Sequence, residues 1–237
     1  ISDDAVITFR SVLNTTHGYG PVFNIGDRVQ SFTHPLWFLI IAVGTWLTSS
    51  IYYFTFSSTI LISLAVICLF VIWIDRRGSE NWSLAIALIL SKSFVDYSTS
   101  GLENPLVHLM LVSGLLLGFK FFNSKENKFG VAELTILFSL YLCRPDLLLL
   151  VLPFCIYVIF QFPKKRMRLG YTLVALSPSI VWTIFSLVFY GFLLPNTAYA
   201  KLGTDVSTFD LIWQGLIYIR DSLQHDPLVL IVIFFGI

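Results

Sequence analysis

Two adjacent carboxylates and an arginine stand near the head of the chain, in Ser2-Asp3-Asp4-Ala5-Val6-Ile7-Thr8-Phe9-Arg10. A carboxylate there can take a proton from a hydroxyl, and an arginine can hold a phosphate. Four more runs carry residues of the same kind. They are Arg28 followed by Thr33-His34-Pro35-Leu36-Trp37, then Ser100-Gly101-Leu102-Glu103, Cys143-Arg144-Pro145-Asp146, and Tyr190-Gly191 through Asn196, Tyr199 and Lys201. Each run also has a plainer explanation. Asp3 and Asp4 suit the first turn of a helix, and Arg144 and Asp146 suit the end of one helix and the start of the next. Ser100-x-x-Glu103 reads as a capping box opening the apolar run 103–122. Lys201 can snorkel, and His34 before Pro35 suits a turn. Chemistry gains weight only if the clusters share one face.

The elements that must position them are mostly apolar. Of 237 residues, 56% are hydrophobic and 12% charged, and mean hydropathy is +0.81. That profile predicts a polytopic membrane protein with all-α architecture. A net charge of +1 with no large basic block gives no argument for nucleic acid. Cys68, Cys143 and Cys155 lie in or beside apolar runs without metal-ligand spacing, so they read as buried thiols. With no initiator Met and a final apolar run, 228–237, that stops short, the sequence reads as an internal piece of a longer chain.

Ser2 can cap a first helix whose Val6, Phe9 and Leu13 fall on one side. Gly18-Tyr19-Gly20-Pro21 and Asn24-Ile25-Gly26-Asp27 are turns. Apolar runs follow at 35–48, 55–74, 82–95, 103–122, 129–143, 147–162 and 169–190. A crossing helix needs about 20 apolar residues, so 35–48 is short. If it lies along the outer leaflet, then Arg76, Arg77, Lys120, Lys125, Lys128, Lys164, Lys165, Arg166 and Arg168 all fall on one side. The positive-inside rule makes that side cytoplasmic. Every polar run named above then collects on the opposite face.

The predicted organisation is a first outer loop over 1–54 with juxtamembrane helices, then six transmembrane helices over 55–190. An outer loop over 191–227 contains an amphipathic helix from Ser207 to Gln224, with Phe209, Trp213, Leu216 and Leu223 on its apolar side. A further span begins at 228–237. His108, inside a span, is expected to be a packed, hydrogen-bonded core residue, and Lys92 and Asp96 have the spacing to pair.

These runs resemble the first outer loop and later motifs of GT-C glycosyltransferases. The nearest branch is the one holding the mycobacterial terminal arabinofuranosyltransferases and their Gram-negative relatives. The resemblance rests on Asp3-Asp4 to Arg10, Gly18 to Val29, Thr33 to Trp37, Gly101-Leu102-Glu103, Arg144-Pro145-Asp146 and Tyr190 to Lys201, in order. It implies a multi-pass protein of the bacterial inner membrane with its active face extracytoplasmic. It further implies an inverting transfer of sugar from a polyprenyl-phosphate donor to an envelope glycan or lipopolysaccharide acceptor, with membrane lipid around it. Asp3 and Asp4 would be the catalytic acids, one of them the general base. Arg144 and Lys201 would meet phosphate, and Arg10 and Arg28 would position the loop or the sugar. His34, Glu103, Asp146, Asn196 and Tyr199 would face donor or sugar. Were a divalent cation to take part, Asp3, Asp4 and Glu103 are the carboxylates available to it. The motifs do not define the sugar. Two other readings keep the same charges: a flippase for lipid-linked sugars, and a non-catalytic subunit of an envelope assembly. A flippase would be expected to carry an internal repeat, and the sequence has none.

Overall fold

A computed structural model of the chain describes residues 2–76, 82–123, 131–162, 164–197, 199, 207–225 and 227. The described residues form helices and connecting turns, with no strand among them. The helices are α1 (Asp3–Thr16), α2 (Pro35–Thr48), α3 (Ile51–Arg76), α4 (Ser83–Leu90), α5 (Lys92–Ser98), α6 (Asn104–Asn123), α7 (Val131–Ser139), α8 (Leu147–Gln161), α9 (Lys165–Tyr190) and α10 (Thr208–His225). Among the described residues two stretches are long and apolar enough to cross a membrane, Ile51–Trp73 and Arg166–Tyr190. Only 22% of the most apolar window of the first and 17% of that of the second is buried. A core helix of a soluble protein would be mostly covered, so these apolar surfaces suit lipid.

α1 begins where expected: Ser2 Oγ accepts the Ala5 N–H at 3.3 Å. Its buried side differs from the expected one. Ala5, Thr8, Phe9, Ser11 and Val12 are buried, while Val6 is 51% and Leu13 38% exposed. Small and hydroxyl-bearing residues face inward because the chain at Gly101 approaches closely. A Cβ on Gly101 would stand 3.3 Å from Ala5 Cβ, and Gly101 has φ +84°. Thr8 and Ser11 find partners on that side, Ser11 meeting Ser31 at 3.0 Å. Gly101→Ala is therefore expected to cost about 1–2 kcal/mol through the left-handed backbone alone. A lowered thermal midpoint for the full-length variant is the check.

α2 is short, and its first turn is tied to Gly101. Trp37 in its first turn donates Nε1–H to the Gly101 carbonyl at 3.1 Å. At its far end Gly44 lies against the Phe54 ring, and Thr55, the next residue, approaches Gly101. Ser49, with φ 56°, turns the chain into α3. The Tyr52 ring then meets Phe9 of α1 edge-on at 5.6 Å. Thus α1, α2 and the start of α3 pack together beside Gly101.

Below this cap, α3 packs on α6 and α7 on α9, with α6 and α7 in close approach where Leu137 covers Gly114. One buried cluster runs from Ala5 and Phe9 through Trp37, Phe38 and Ile41 to Met110, Leu134, Leu140 and Val158.

Several expectations need correction. The run 82–95 is not one helix: Ser91, with ψ 118°, ends α4 and caps α5. The run 129–143 ends in a 3-10 turn at Leu140–Leu142. Cys68 is exposed, whereas Cys143 and Cys155 are buried, and all three are free. His108 Nδ1 is buried with no hydrogen-bond partner among the described residues. Its ring lies 5.4 Å from that of Phe94. Lys92 and Asp96 do pair, at 2.9 Å. α10 forms as expected, capped by Ser207, whose Oγ accepts the Asp210 N–H at 3.2 Å, and all its residues are exposed. The run 228–237 lies outside the described residues.

Candidate functional site

The first turn of α1 carries Asp3 and Asp4, both exposed. Neither side chain makes a hydrogen bond or ion pair with another described residue. The turn is fixed from beneath: Ser2 N–H donates to the Ser100 carbonyl at 3.0 Å. Ser100 is not the cap of α6. The helix starts at Asn104, and the Glu103 carbonyl accepts the Val107 N–H at 3.0 Å. The Glu103 carboxylate, freed from a capping box, turns to His34, with Oε2 3.3 Å from Nδ1. His34 Nε2 lies 2.9 Å from Thr8 Oγ1, and Thr8 donates to the Asp4 carbonyl at 3.3 Å. A buried polar line therefore runs from the loop before α6, through the residue that precedes α2, to the Asp4 turn of α1.

His34 and Glu103 are 5% and 7% exposed. Burial is the largest influence on each. It pushes His34 down to about 4, with the nearby Asp4 charge opposing and Arg144 reinforcing. Burial pushes Glu103 up, against its own backbone N–H and Arg144, with Asp146 and Asp4 reinforcing. Asp4, Arg144 and Asp146 are therefore close enough to act electrostatically on the pair. Both groups favour their neutral forms.

The signs give a test. His34 binds a proton more readily unfolded than folded, so its contribution is complete above 6.5 and lost as pH falls towards about 4. A shift of that size is worth on the order of 3 kcal/mol. Glu103 acts oppositely, its contribution complete below 4.5 and lost as pH rises through its folded value. While Glu103 keeps its proton above 4.5, the two offset each other. Glu103→Gln should therefore unmask a loss of stability on acidification from pH 6.5 to about 4. Thermal midpoints of both proteins across that range are the check.

Arg144 and Asp146 pair with each other, Nη2 to Oδ2 at 3.3 Å, with side chains 47% and 61% exposed. Such an exposed pair is worth about 0–1 kcal/mol, so an incoming anion can open it at little cost. Arg10 and Arg28 are used locally. Arg10 donates to Asn24 Oδ1 at 3.2 Å and lies over the Phe23 ring at 4.3 Å. Arg28 lies over the Phe189 ring at 5.2 Å. Both pin the segment 17–34.

Asn196 is half-buried and Tyr199 exposed, its ring 5.6 Å from Phe192. Their segment is tied to the first loop: Tyr190 Oη donates to the Pro21 carbonyl at 2.6 Å, and Ser186 Oγ reaches Gln30 Oε1 at 3.1 Å and the Phe192 carbonyl at 2.8 Å. Those ties run to residues 21–30 and not to the Asp4 turn. Lys201 lies outside the described residues.

The structure thus gathers Asp4, His34, Glu103, Arg144 and Asp146 from distant runs. Thr8 and Trp37 belong to the same assembly and went unassigned in the sequence. Among the described residues no group of three or more His, Cys, Asp or Glu could hold a metal ion. Glu103 is committed to His34, so Asp3, Asp4 and Glu103 do not fit a cation site as they stand.

Comparison with known proteins bears out the expected resemblance. The chain is similar to the terminal beta-(1->2)-arabinofuranosyltransferase of Mycobacterium tuberculosis, 29% identical over 252 residues that cover 97% of this chain and 39% of the relative. It is likewise similar to the terminal beta-(1->2)-arabinofuranosyltransferase of Corynebacterium glutamicum, 28% identical over 253 residues covering 93% of this chain and 35% of the relative. The chain thus spans less than two fifths of the length of these curated relatives. No family model and no solved structure matches it.

Proposed function

We propose that this chain is the active-site part of a polytopic GT-C membrane glycosyltransferase. It moves a sugar from a polyprenyl-phosphate donor to an envelope glycan or glycolipid acceptor on the extracytoplasmic side. α3 and α9 cross the bilayer, α6 to α8 complete the bundle, and α1, α2 and α10 lie along the outer face. In α10, Phe209, Ile212, Leu216, Ile219 and Leu223 fall on one side at helical spacing, with Trp213 and Arg220 at its edge, as suits a headgroup layer. Asp4 is the general base. It takes the proton of the acceptor hydroxyl while that oxygen attacks the anomeric carbon opposite the phosphate. The carbon–oxygen bond to phosphate breaks, the lipid phosphate leaves with the electron pair, and the anomeric configuration inverts. Arg144, released from Asp146, meets the departing phosphate together with Lys201.

The observation that carries this reading is the Asp4 carboxylate on α1, which has no hydrogen bond or ion pair among the described residues and lies, like Arg144, within electrostatic reach of the buried His34–Glu103 pair. Similarity to two arabinofuranosyltransferases along nearly the whole chain supports it. The test is the full-length protein in membranes, given radiolabelled polyprenyl-phosphate pentoses and hexoses with envelope acceptors. Label reaching acceptor from one donor supports the reading. Movement of donor across the bilayer without transfer would identify a flippase. Binding without either would identify an assembly subunit.

A further inference from the structure

We propose that His34 is a positioning residue: by joining Thr8 of α1 to Glu103 of the loop before α6, it sets where the Asp4 carboxylate stands. This rests on the transferase reading and replaces the sugar contact expected for His34 and Glu103.

Both residues are too buried to meet a sugar, at 5% and 7% exposure. Both ring nitrogens of His34 are also occupied, Nε2 by Thr8 Oγ1 at 2.9 Å and Nδ1 by Glu103 Oε2 at 3.3 Å. A neutral imidazole has one donor and one acceptor nitrogen, so it can pass hydrogen-bond direction from one neighbour to the other. Apolar residues of similar volume would pack here at least as well. A fully satisfied polar line does something packing does not, which is to fix one geometry.

The loop that carries Glu103 is also fastened independently to α1 and to α2. Ser2 N–H donates to the Ser100 carbonyl at 3.0 Å, and Trp37 Nε1–H to that of Gly101 at 3.1 Å. Gly101 then brings the loop against Ala5, with 3.3 Å left for a Cβ. Thr8 stands one turn along α1 from Asp4 and donates to its carbonyl at 3.3 Å. Shifting Thr8 therefore moves the base while Arg10, pinned to Asn24 and Phe23, stays in place.

The variants separate the partners. His34→Gln keeps a nitrogen that can reach Thr8 and gives up Glu103. Thr8→Val keeps the shape and removes the hydroxyl, and Thr8→Ser restores the hydroxyl. In the full-length protein, Thr8→Val and His34→Gln are expected to lower kcat roughly 10–100-fold with donor KM within about twofold, since a displaced base slows the step without weakening binding. Thr8→Ser should recover most of the rate, and the double variant Thr8→Val with His34→Gln should lose little beyond either alone. A raised KM at unchanged kcat, additive losses, or no effect would overturn the proposal. Hydrogen exchange gives an arm independent of turnover. Amides of residues 3–10 should exchange at least about tenfold faster in Thr8→Val than in the wild type. Equal exchange would overturn the positioning role even if the transferase reading holds. If the wild type transfers no sugar, the transferase reading fails and the exchange arm still decides the strut.

Discussion

Replacing Asp4 by Asn in the full-length protein is expected to lower sugar transfer by about 10²–10⁴-fold, the usual contribution of a positioned general base. The substitution keeps the shape of the side chain and removes its capacity to take a proton. Its structural cost is small. The Asp4 side chain is exposed and makes no hydrogen bond among the described residues, so what is lost is its interaction with the dipole of α1, about 0.3–1 kcal/mol. Protein level and membrane insertion should therefore be unchanged. Asp3 sits beside Asp4, but of the two it is Asp4 whose charge acts on both His34 and Glu103. Asp3→Asn is accordingly expected to retain far more activity. The measurement is single-turnover transfer from radiolabelled donor for the wild type and both variants. The opposite ranking would move the base to Asp3, and full activity in both would remove the catalytic reading of this turn.

The parts of this arrangement that depend on neighbours in sequence were legible in the sequence. Ser2 caps α1, Lys92 pairs with Asp96 four residues on, and the spacing of apolar residues gives α10. The parts that depend on contact between distant segments were not. Val6, Phe9 and Leu13 form the larger apolar stripe on α1, yet of the three only Phe9 is buried, beside the smaller Ala5, Thr8, Ser11 and Val12. A stripe of large side chains identifies the core only when water covers the other side. Where lipid replaces water, large apolar residues are at no disadvantage facing outward, and small ones win the inner face because they admit the chain at Gly101.

The same limit explains Glu103. Ser100-x-x-Glu103 is a sound local pattern for a cap, and nothing near it in sequence announces His34. Once Trp37 and Gly101 dock, His34 arrives beside Glu103. A buried imidazole and a buried carboxylate each need a partner, and His34 and Glu103 supply each other's. The break at Ser91 has a comparable cause: a serine able to cap α5 interrupts an apolar run that reads as continuous by hydropathy alone.

Trp37 is the residue on which this docking turns, and Trp37→Ala is expected to cost about 3–5 kcal/mol, as for other buried aromatic truncations. The side chain is fully buried in the cluster that joins α1, α2 and α7, and its Nε1–H holds the Gly101 carbonyl. Against a typical total of about 5–15 kcal/mol, such a loss is large. Trp37→Phe separates the two contributions. It fills much of the space but leaves the Gly101 carbonyl without its donor, for about 1–3 kcal/mol. The check is the thermal midpoint of the full-length protein purified in detergent, read by loss of helical signal, alongside transfer activity at a temperature where all three remain folded. A midpoint falling in the order wild type, Phe, Ala is expected. Activity in the Phe variant should fall further than its stability alone accounts for, because the loop carrying Glu103 has lost its tether to α2 while the core beneath stays packed. Wild-type activity and stability in Trp37→Ala would mean that Gly101 is held some other way, and that the register of α1 on this loop does not depend on α2.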